Sequence, residues 1–315
     1  MFPRFSVSLD ELIQALEKTA HKEVYVWGFN EPTGLETYAR SNDIPFYRVE
    51  DGFIRGVGLG ANHELPSSLV MDSRQLYFNT REESDLEHLL NYHNFTPDEE
   101  AEAETLIALL KETAVSKYNF AAQPVDMAEV YGEKDRYRIL VVGQVENDAS
   151  IQFGCEAVRS NEALLATALN DHPNAHIIYK PHPDVLTGKR PALSNPQRYG
   201  SKVQYLNELM PLTQAFETVD HVYTLTSLSG LEALLWGKQV TTLGRPFYSG
   251  FGLTDDRLPS YRRERTLNLA QLVAGAYLLY PRYFDPNTGE AQTALDVVRS
   301  IKVQLMAIAN DQTVS

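Results

Sequence analysis

Short polar clusters directly follow apolar runs at five places in this sequence, and they contain the residue types that could do chemistry. Carboxylates can act as nucleophiles or general bases, histidine can move a proton, and lysine, arginine and serine can hold an anion. The clusters are Glu50-Asp51-Gly52-Phe53-Ile54-Arg55, Gly143-Gln144-Val145-Glu146-Asn147-Asp148, Lys180-Pro181-His182-Pro183, Thr226-Ser227-Leu228-Ser229-Gly230-Leu231-Glu232 and Gly244-Arg245-Pro246-Phe247-Tyr248. Ligands of open parallel sheets bind outside the carboxyl ends of the strands. We therefore expect the clusters to converge around one cleft.

Most of these clusters also have a purely structural interpretation. Asp148 could cap the helix predicted at residues 150–158, and Glu50-Asp51-Gly52 could form a tight turn. Ser229 and Glu232 have the spacing of a capping box at a helix start. A serine-lined helix start also offers N–H groups and a positive dipole end to a phosphate, so the structural and functional roles are compatible.

The segment around His182 favours a functional role more strongly. His182 lies between Pro181 and Pro183, and this arrangement predicts a rigid, non-helical segment rather than an ordinary core position. Lys180, two residues earlier, adds a cation. Together, Lys180 and His182 have the chemistry of an anion clamp.

The elements that must position these clusters alternate along the second half of the chain. Such alternation predicts right-handed crossovers and a parallel sheet covered by helices on both faces. The predicted strands are 138–142, 176–179, 221–225 and 239–243, and the predicted helices are 161–170, 202–219 and 229–236.

The first half has a similar but less regular pattern. Ser84 with Glu87 and Thr96 with Glu99 have capping-box spacing, and the pattern lapses into a predicted linker at 119–135. Helices are predicted at 9–21 and 35–41, strands at 24–28 and 45–49, and extended runs at 68–71 and 76–78. We therefore expect an α/β protein of two domains, 1–125 and 136–280, and a helical C-terminal segment, 281–315, that packs back toward the first domain.

Composition excludes several classes of protein. With 28 Lys and Arg against 42 Asp and Glu, the 315-residue chain has a net charge of −14, which argues against binding to nucleic acid. Cys155 is the single cysteine, so no intramolecular disulfide can form, and a reducing, cytoplasmic location is expected. No apolar run predicts a membrane span or a secretion signal. Asp-x-Asp does not occur and no His-x-x-x-His pair lies on a predicted helix, so no metal or other cofactor is predicted.

Longer strings in the sequence resemble those of a known family. A Glu-Asp-Gly carboxylate turn, then Lys-x-His-Pro, then a serine-rich helix start is the order found in metal-independent bacterial transferases that use CMP-activated acidic sugars. The sequence is similar, more narrowly, to the bacterial capsule β-Kdo transferase family of the KpsC type. The similarity is carried by the clusters above, by Ser84-Asp85-Leu86-Glu87-His88, by Tyr179 to Val185, and by Tyr280-Pro281-Arg282-Tyr283-Phe284-Asp285-Pro286. Typical members carry two such modules, and this length holds one, either excised or stand-alone.

The resemblance implies a GT-B architecture, with two Rossmann-like domains facing a cleft, and transfer of Kdo from CMP-Kdo with retention of the β configuration. Retention through a covalent intermediate requires a carboxylate nucleophile, which we assign to Asp148. Glu50 or Asp51 is the expected general base, and His182 is expected beside the phosphate. Substrate binding is assigned to Gln144, Arg55, Lys180, Ser227, Ser229, the Gly230 backbone, Glu232 and Arg245, with Glu232 reading the ribose.

The implied partners are CMP-Kdo and a saccharide or glycolipid acceptor, with peripheral association at the inner membrane or with a partner transferase module left open. Two other functions also fit the motifs. An inverting transferase of the CMP-sialic-acid type would use a carboxylate only as the base. A non-catalytic glycan-binding module would keep the fold without needing Asp148.

Overall fold

The computed structural model describes residues 8–58, 65–119 and 125–314. In this part of the chain, two large β-sheets and their helices enclose a continuous hydrophobic core that draws residues from both halves of the sequence. A smaller cluster of buried apolar residues lies beside this core in each half. The protein is therefore a mixed α/β structure.

The first sheet has five strands and is mixed. Its strands are β1 (Val24–Trp27), β2 (Phe46–Asp51), β4 (Ser68–Asp72), β12 (Arg282–Phe284) and β13 (Ala291–Gln292), in the order β1-β2-β4-β12-β13. Only β1 and β2 run parallel, and every other neighbouring pair is antiparallel. The expectation of a parallel, Rossmann-like first domain is wrong for this sheet, because antiparallel neighbours need no crossover helix and two of the strands come from the C-terminal region.

The first half forms the helices α1 (Leu9–Lys18), α2 (Leu35–Ser41), α3 (Asp85–Tyr92) and α4 (Pro97–Thr113). Two of these helices, α3 and α4, begin at the caps predicted for them, Ser84 and Thr96. The capping box of Thr96 and Glu99 is confirmed, since each side chain accepts the backbone N–H of the other residue. At α3 only half of the predicted box forms: Ser84 accepts the Glu87 N–H at 3.0 Å, while the Glu87 carboxylate binds elsewhere. The extended run predicted at 76–78 is a turn.

A short parallel pair and a short helix connect the halves. The pair is β3 (Gly56–Val57) and β5 (Tyr118–Asn119), and the helix is α5 (Met127–Tyr131). Part of the predicted linker, 120–124, lies outside the described residues. The described part of the linker is not a bare connection, because Met127 and Tyr131 are buried and the Tyr131 hydroxyl donates to the Ala215 carbonyl at 3.0 Å.

The second sheet has six parallel strands in the order β11-β10-β9-β6-β7-β8. They are β6 (Arg138–Val142), β7 (His176–Lys180), β8 (Gln204–Tyr205), β9 (His221–Thr224), β10 (Gln239–Thr242) and β11 (Asp255–Asp256). After β6, the chain forms β7 and β8 on one side of it. The chain then crosses to form β9 on the other side of β6. This reversal between β6 and β9 is the topological switch point, where ligands of such sheets bind.

Short helices connect these strands. They are α6 (Ala149–Gly154), α7 (Asn161–Asp171), α8 (Pro183–Leu186), α9 (Leu212–Ala215) and α10 (Ser229–Leu235), with a 3-10 turn at Pro196–Lys202. The helix predicted over 202–219 is wrong, because this segment holds β8 and a single turn, α9. Pro211 lies directly before α9, and a proline inside a longer helix would clash with the preceding turn.

The end of the chain returns to the first half. It forms α11 (Leu269–Val273), a π-helical turn at Ala274–Leu279 and α12 (Ala294–Val314). All three pack against α4, and α12 also contacts β12. The π-helical turn also approaches α3 closely at Gly275, because a Cβ there would lie 2.6 Å from a Leu90 methyl group. No helix in the described ranges combines the length and the apolar character that a membrane crossing requires.

Candidate active site

A cleft between the two sheets collects most of the residues predicted from the polar clusters. It has a volume of about 290 Å³, and a smaller cavity adjoins it. The predicted residues that line the cleft are Glu50, Asp51, Gln144, Asp148, His182, Ser227 and Arg245, and those that line the smaller cavity are Lys180, His182, Ser227, Ser229 and Glu232. Arg55 and Gly230 line neither space. The carboxyl ends of β2, β6, β7, β9 and β10 therefore converge as the sequence predicts.

Gln144 braces the cleft at the switch point. Its side-chain oxygen accepts the Thr226 N–H at 2.8 Å, and its amide nitrogen donates to the Thr226 hydroxyl at 3.1 Å. Asn161 binds both the N–H and the carbonyl of Gln144. The Gln144 amide thus joins the ends of β6 and β9, and because Gln144 also lines the cleft, its predicted contact with substrate stays a prediction.

Asp148 is both a helix cap and a cleft residue. It precedes α6, and its Oδ1 accepts the Ser150 N–H at 2.9 Å, which holds the carboxylate in one orientation. The same side chain lines the cleft. The structural and functional interpretations of Asp148 are therefore compatible, because capping engages one of its two carboxylate oxygens.

Glu50 and Asp51 reach the cleft from the first sheet but differ in environment. Burial raises the pKa of Glu50, and the carboxylates of Asp51 and Asp148 raise it further, while the Asp51 N–H at 3.0 Å and the charge of Lys117 oppose this shift. Asp51 instead forms an ion pair with Arg55, with 2.8 Å between Nε and Oδ2. Arg55 was predicted to bind the donor, but it is buried beneath the cleft and neutralises Asp51.

His182 has a defined tautomer. Its Nδ1 accepts the Asp184 N–H at 3.1 Å, so the neutral ring carries its proton on Nε2. Burial lowers the pKa of His182, and this favours the neutral ring. His182 lines both cavities and can donate a hydrogen bond there, although the anion clamp expected from the sequence does not require it to be charged.

Lys180 and Glu232 are buried around the smaller cavity. Burial lowers the pKa of Lys180 to about 8, and the Glu232 carboxylate opposes that shift. Burial raises the pKa of Glu232 to about 7, against the charges of Lys117 and Lys180. The Glu232 Oε1 accepts the Lys117 N–H at 3.0 Å. The capping box predicted for Ser229 and Glu232 is therefore wrong, since this carboxylate binds a residue of the first half.

The hydroxyl groups of the serine-rich segment line the cavities, but some of its backbone N–H groups already donate hydrogen bonds within the segment. The Ser227 and Ser229 hydroxyl oxygens lie 3.0 Å apart, and the Ser229 N–H donates to the Ser227 hydroxyl. The Gly230 N–H already donates to the Ser227 carbonyl at 3.1 Å, and the use of the Gly230 backbone in phosphate binding stays a prediction. Glycine is needed there because a Cβ would lie 2.1 Å from the Tyr248 hydroxyl.

Arg245 lines the cleft, but its guanidinium already interacts with neighbouring residues. It forms an ion pair with Glu156, with 2.7 Å between the charged groups, and its Nε donates to the Pro259 carbonyl at 2.8 Å. Its guanidinium is mostly enclosed. Arg245 can still contribute positive potential to the cleft, but the ion pair with Glu156 reduces what it can offer an anion.

Sequence reasoning missed several lining residues, of which Lys117 stands out. Lys117 lines both the cleft and the smaller cavity. It follows α4 in a stretch without a motif, and only the fold brings it against α10. Tyr77 and Phe78 also line the cleft, from the turn predicted as an extended run. Among the described residues, no group of three or more His, Cys, Asp or Glu could hold a metal ion.

Comparison with curated proteins gives relatives over most of this chain. The lipopolysaccharide-processing protein LpsZ of Rhizobium meliloti is 42% identical over 280 residues, which are 88% of this chain and 63% of LpsZ. The capsule polysaccharide modification protein LipA of Neisseria meningitidis serogroup A is 40% identical over 288 residues, 91% of this chain and 40% of LipA. The chain thus spans less than two thirds of either relative.

Comparison with solved structures also finds proteins that are similar over most of this chain. The structure described as Thermosulfurimonas dismutans KpsC, beta Kdo 2,4 transferase, has a TM-score of 0.81 and 34% identity, over 89% of this chain and 86% of that one. The beta Kdo 2,7 transferase of the same KpsC has a TM-score of 0.74 and 33% identity, over 94% and 89%. Residues 22–283 match the family described as capsule polysaccharide biosynthesis protein. This chain therefore belongs to the capsule polysaccharide biosynthesis protein family.

Proposed function

We propose that this protein is a metal-independent glycosyltransferase of GT-B type that transfers Kdo from CMP-Kdo to a saccharide acceptor with retention of the β configuration. The observation that carries the proposal is the meeting of Asp148 and Glu50, from opposite sheets, in one cleft bordered by Lys180, His182 and serine hydroxyls. Similarity to KpsC over most of both chains supports the substrate class. A Kdo-terminated, capsule-linker type of acceptor, reached at the cytoplasmic face of the inner membrane, fits the family.

Asp148 is the proposed nucleophile. Its carboxylate attacks the anomeric carbon of Kdo as the bond from that carbon to the phosphate oxygen breaks, and CMP leaves with that electron pair. The first inversion produces a Kdo ester of Asp148, and attack by the acceptor hydroxyl produces the second inversion and frees Asp148. The cap bond from the Ser150 N–H holds the carboxylate in place before the reaction, which reduces the cost of orienting it.

Glu50 is the proposed general base for the acceptor hydroxyl. Its pKa is raised by burial, which makes the ionised carboxylate a stronger base. Asp51 is the weaker candidate, because its carboxylate is already engaged in an ion pair with Arg55, with 2.8 Å between Nε and Oδ2. Glu50 takes the hydroxyl proton in the second step alone, so cleavage of the donor does not depend on it.

The donor brings a phosphate and the Kdo carboxylate into an acidic protein. Lys180, neutral His182 and the Ser227 and Ser229 hydroxyls supply a cation and hydrogen-bond donors beside the cleft. We assign the phosphate to this group. Glu232 lines the same cavity and is the proposed contact for the ribose.

The decisive experiment separates the two chemical steps. The variant Glu50→Gln should release one equivalent of CMP from CMP-Kdo and then stall, and intact-mass analysis should show a Kdo adduct on Asp148. Asp148→Ala should bind CMP, form no adduct and transfer no Kdo. Asp184→Asn, which changes a carboxylate lining the same cleft, is the matched control and should keep most activity.

Three outcomes would contradict the proposal. Transfer by Asp148→Ala, or a product of inverted configuration, would favour the inverting transferase. Failure of the wild type to release CMP from CMP-Kdo with any acceptor would favour a glycan-binding module. Activity that is lost with EDTA and restored by a divalent ion would show that a metal is required.

A further inference from the structure

The two cavities of the site meet at a shared border. Lys117, His182, Ser227 and Leu228 line both the cleft and the smaller cavity. Under the proposed function, on which this inference rests, the cleft with Asp148 holds the sugar. The nucleoside must then occupy the other side of that border. Because the phosphate joins sugar to nucleoside in the donor, it lies at the residues that the two cavities share.

Lys117 and His182 are the two basic side chains among these shared residues, and burial favours the neutral form of His182. Leu228 is apolar and Ser227 carries a hydroxyl. The Lys117 charge opposes the burial-induced rise in the pKa of both Glu50 and Glu232, so it acts on both cavities. Lys180, the other lysine of the site, lines the smaller cavity only.

The backbone around Lys117 is anchored on both sides. Its N–H donates to the Glu232 Oε1 at 3.0 Å, which ties it to α10 in the second half. Two residues away, the Asn119 amide donates to the Gly56 carbonyl at 2.9 Å, and its Oδ1 accepts the Ser116 N–H at 2.8 Å. These bonds anchor the backbone at Lys117, whose side chain lines both cavities.

We propose that Lys117 is a catalytic residue that binds the phosphate of the donor and stabilises it as it leaves. The phosphodiester of the donor carries one negative charge, and the phosphomonoester of CMP carries a second when the bond to the anomeric carbon breaks. That charge arises on the departing oxygen, and no proton is needed to balance it. A cation placed there binds the transition state and CMP more tightly than the donor.

The position of Lys117 also links the reaction to the arrangement of the two halves. Lys117 belongs to the first half, whereas His182 and Ser227 belong to the second. A phosphate bound by all three therefore bridges the halves, and its departure as CMP removes that bridge. Glu50, the proposed base, is also in the first half. The bound phosphate therefore also keeps Glu50 close to the donor-binding residues of the second half.

The test compares two ligands that differ only by the phosphate. Lys117→Met should weaken the binding of CMP, measured by calorimetry, by about 10-fold or more, and leave cytidine binding within about 2-fold. It should also lower kcat with CMP-Kdo by about 100-fold, the scale of losing one preorganised charge-stabilising group. Lys117→Arg should keep CMP binding within a few-fold of the wild type. Lys134→Met, which removes an exposed lysine paired with Asp220, is the control and should change neither ligand.

Equal CMP affinity of Lys117→Met and the wild type would overturn the proposal, and so would a parallel loss of CMP and cytidine binding, which indicates a structural role. If Lys117→Met fails to fold, Lys117→Gln is measured in the same way and judged by the same comparison. The CMP and cytidine measurements need no catalysis. They therefore test Lys117 even if the protein transfers a different sugar, whereas absence of CMP release by the wild type bears on the proposed function alone.

Discussion

The ring of Phe53 stacks on the ring of Phe247, with centroids 4.7 Å apart and planes inclined by 20°. Both rings are buried, and Tyr77 meets each of them edge-on. Phe53 lies three residues after Glu50, and Phe247 lies in the second-half segment that lines the cleft. We expect this contact to hold the proposed base at its distance from the donor side of the site.

Weakening this contact should therefore lower the catalytic rate more than the affinity for the donor. Phe53→Leu removes the stacking and leaves a partly filled space, and the free energy of unfolding should fall by about 1–3 kcal/mol. A displacement of Glu50 of about 1 Å should lower kcat by roughly 10- to 100-fold while CMP affinity stays unchanged. Urea unfolding, steady-state kinetics and calorimetry check these three values.

Phe216→Leu is the matched control for that variant. Phe216 is fully buried in the second half and contacts Trp236, away from the residues that line the cleft. It should lose a similar free energy of unfolding and keep kcat. If Phe53→Leu loses stability but no activity, the contact does not position Glu50.

A buried ion pair joins α3 to the segment that carries Phe247. The Glu87 carboxylate accepts from Arg263 at 3.1 Å and from Arg262 at 2.6 Å, and Arg263 also donates to the carbonyls of Pro246 and Ser249. Glu87→Gln leaves the Arg263 charge buried without its counterion. The free energy of unfolding should fall by about 3–5 kcal/mol, measured by urea denaturation.

Asp135→Asn provides the comparison for an exposed pair. Asp135 and Arg136 form an ion pair with both side chains largely in solvent, so its loss should cost less than about 1 kcal/mol. A Glu87→Gln protein as stable as the wild type would show that the buried pair does not hold the two halves together.

The rate should depend on pH through Lys180 and Glu50. Lys180 binds an anion only when protonated, and burial lowers its pKa to about 8, so kcat/KM should fall as the pH rises through about 8. Glu50 accepts a proton only when ionised, and burial raises its pKa, so activity should fall on acidification at a pH above the ordinary carboxylate value of 4.5. A pH profile of kcat/KM for CMP-Kdo measures the alkaline limb, and a pH profile of kcat/KM for the acceptor measures the acid limb, because Glu50 acts only in the second step.

Lys180→Arg separates the two limbs. Arginine stays charged throughout this range, so the alkaline limb should move to higher pH while the acid limb stays in place. An alkaline limb that does not move in Lys180→Arg would assign it to another group.

Much of the second half could be predicted from the sequence. The strands expected at 138–142, 176–179, 221–225 and 239–243 are confirmed within one residue at their ends as β6, β7, β9 and β10. Strands buried on both faces are continuous apolar runs, and the polar residues that follow them must lie at one edge of the sheet. The local sequence pattern was therefore sufficient to predict both the strands and this edge. The convergence of Asp148, His182 and Ser227 follows from this.

The first half was less predictable because its sheet depends on distant pairing. Strands β12 and β13 come from residues 282–292 and pair beside β4, a contact that no local pattern indicates. The same limit applies to Arg55 and Gly230. Their residue types favoured ligand binding, but Arg55 pairs with Asp51, and Gly230 makes room for Tyr248.

The parallel second sheet and the polar side chains at its carboxyl edge follow from the amino-acid sequence, because period, burial and turn chemistry are local properties. The packing of the two halves adds the rest: it selects the side chains that face the cleft, gives one carboxylate an ion-pair partner, and brings Lys117 to the border of the two cavities. These outcomes depend on contacts such as the bond from the Lys117 N–H to Glu232, between residues 115 positions apart. Such contacts are decided when the two halves pack, since burial and charge are properties of the assembled site.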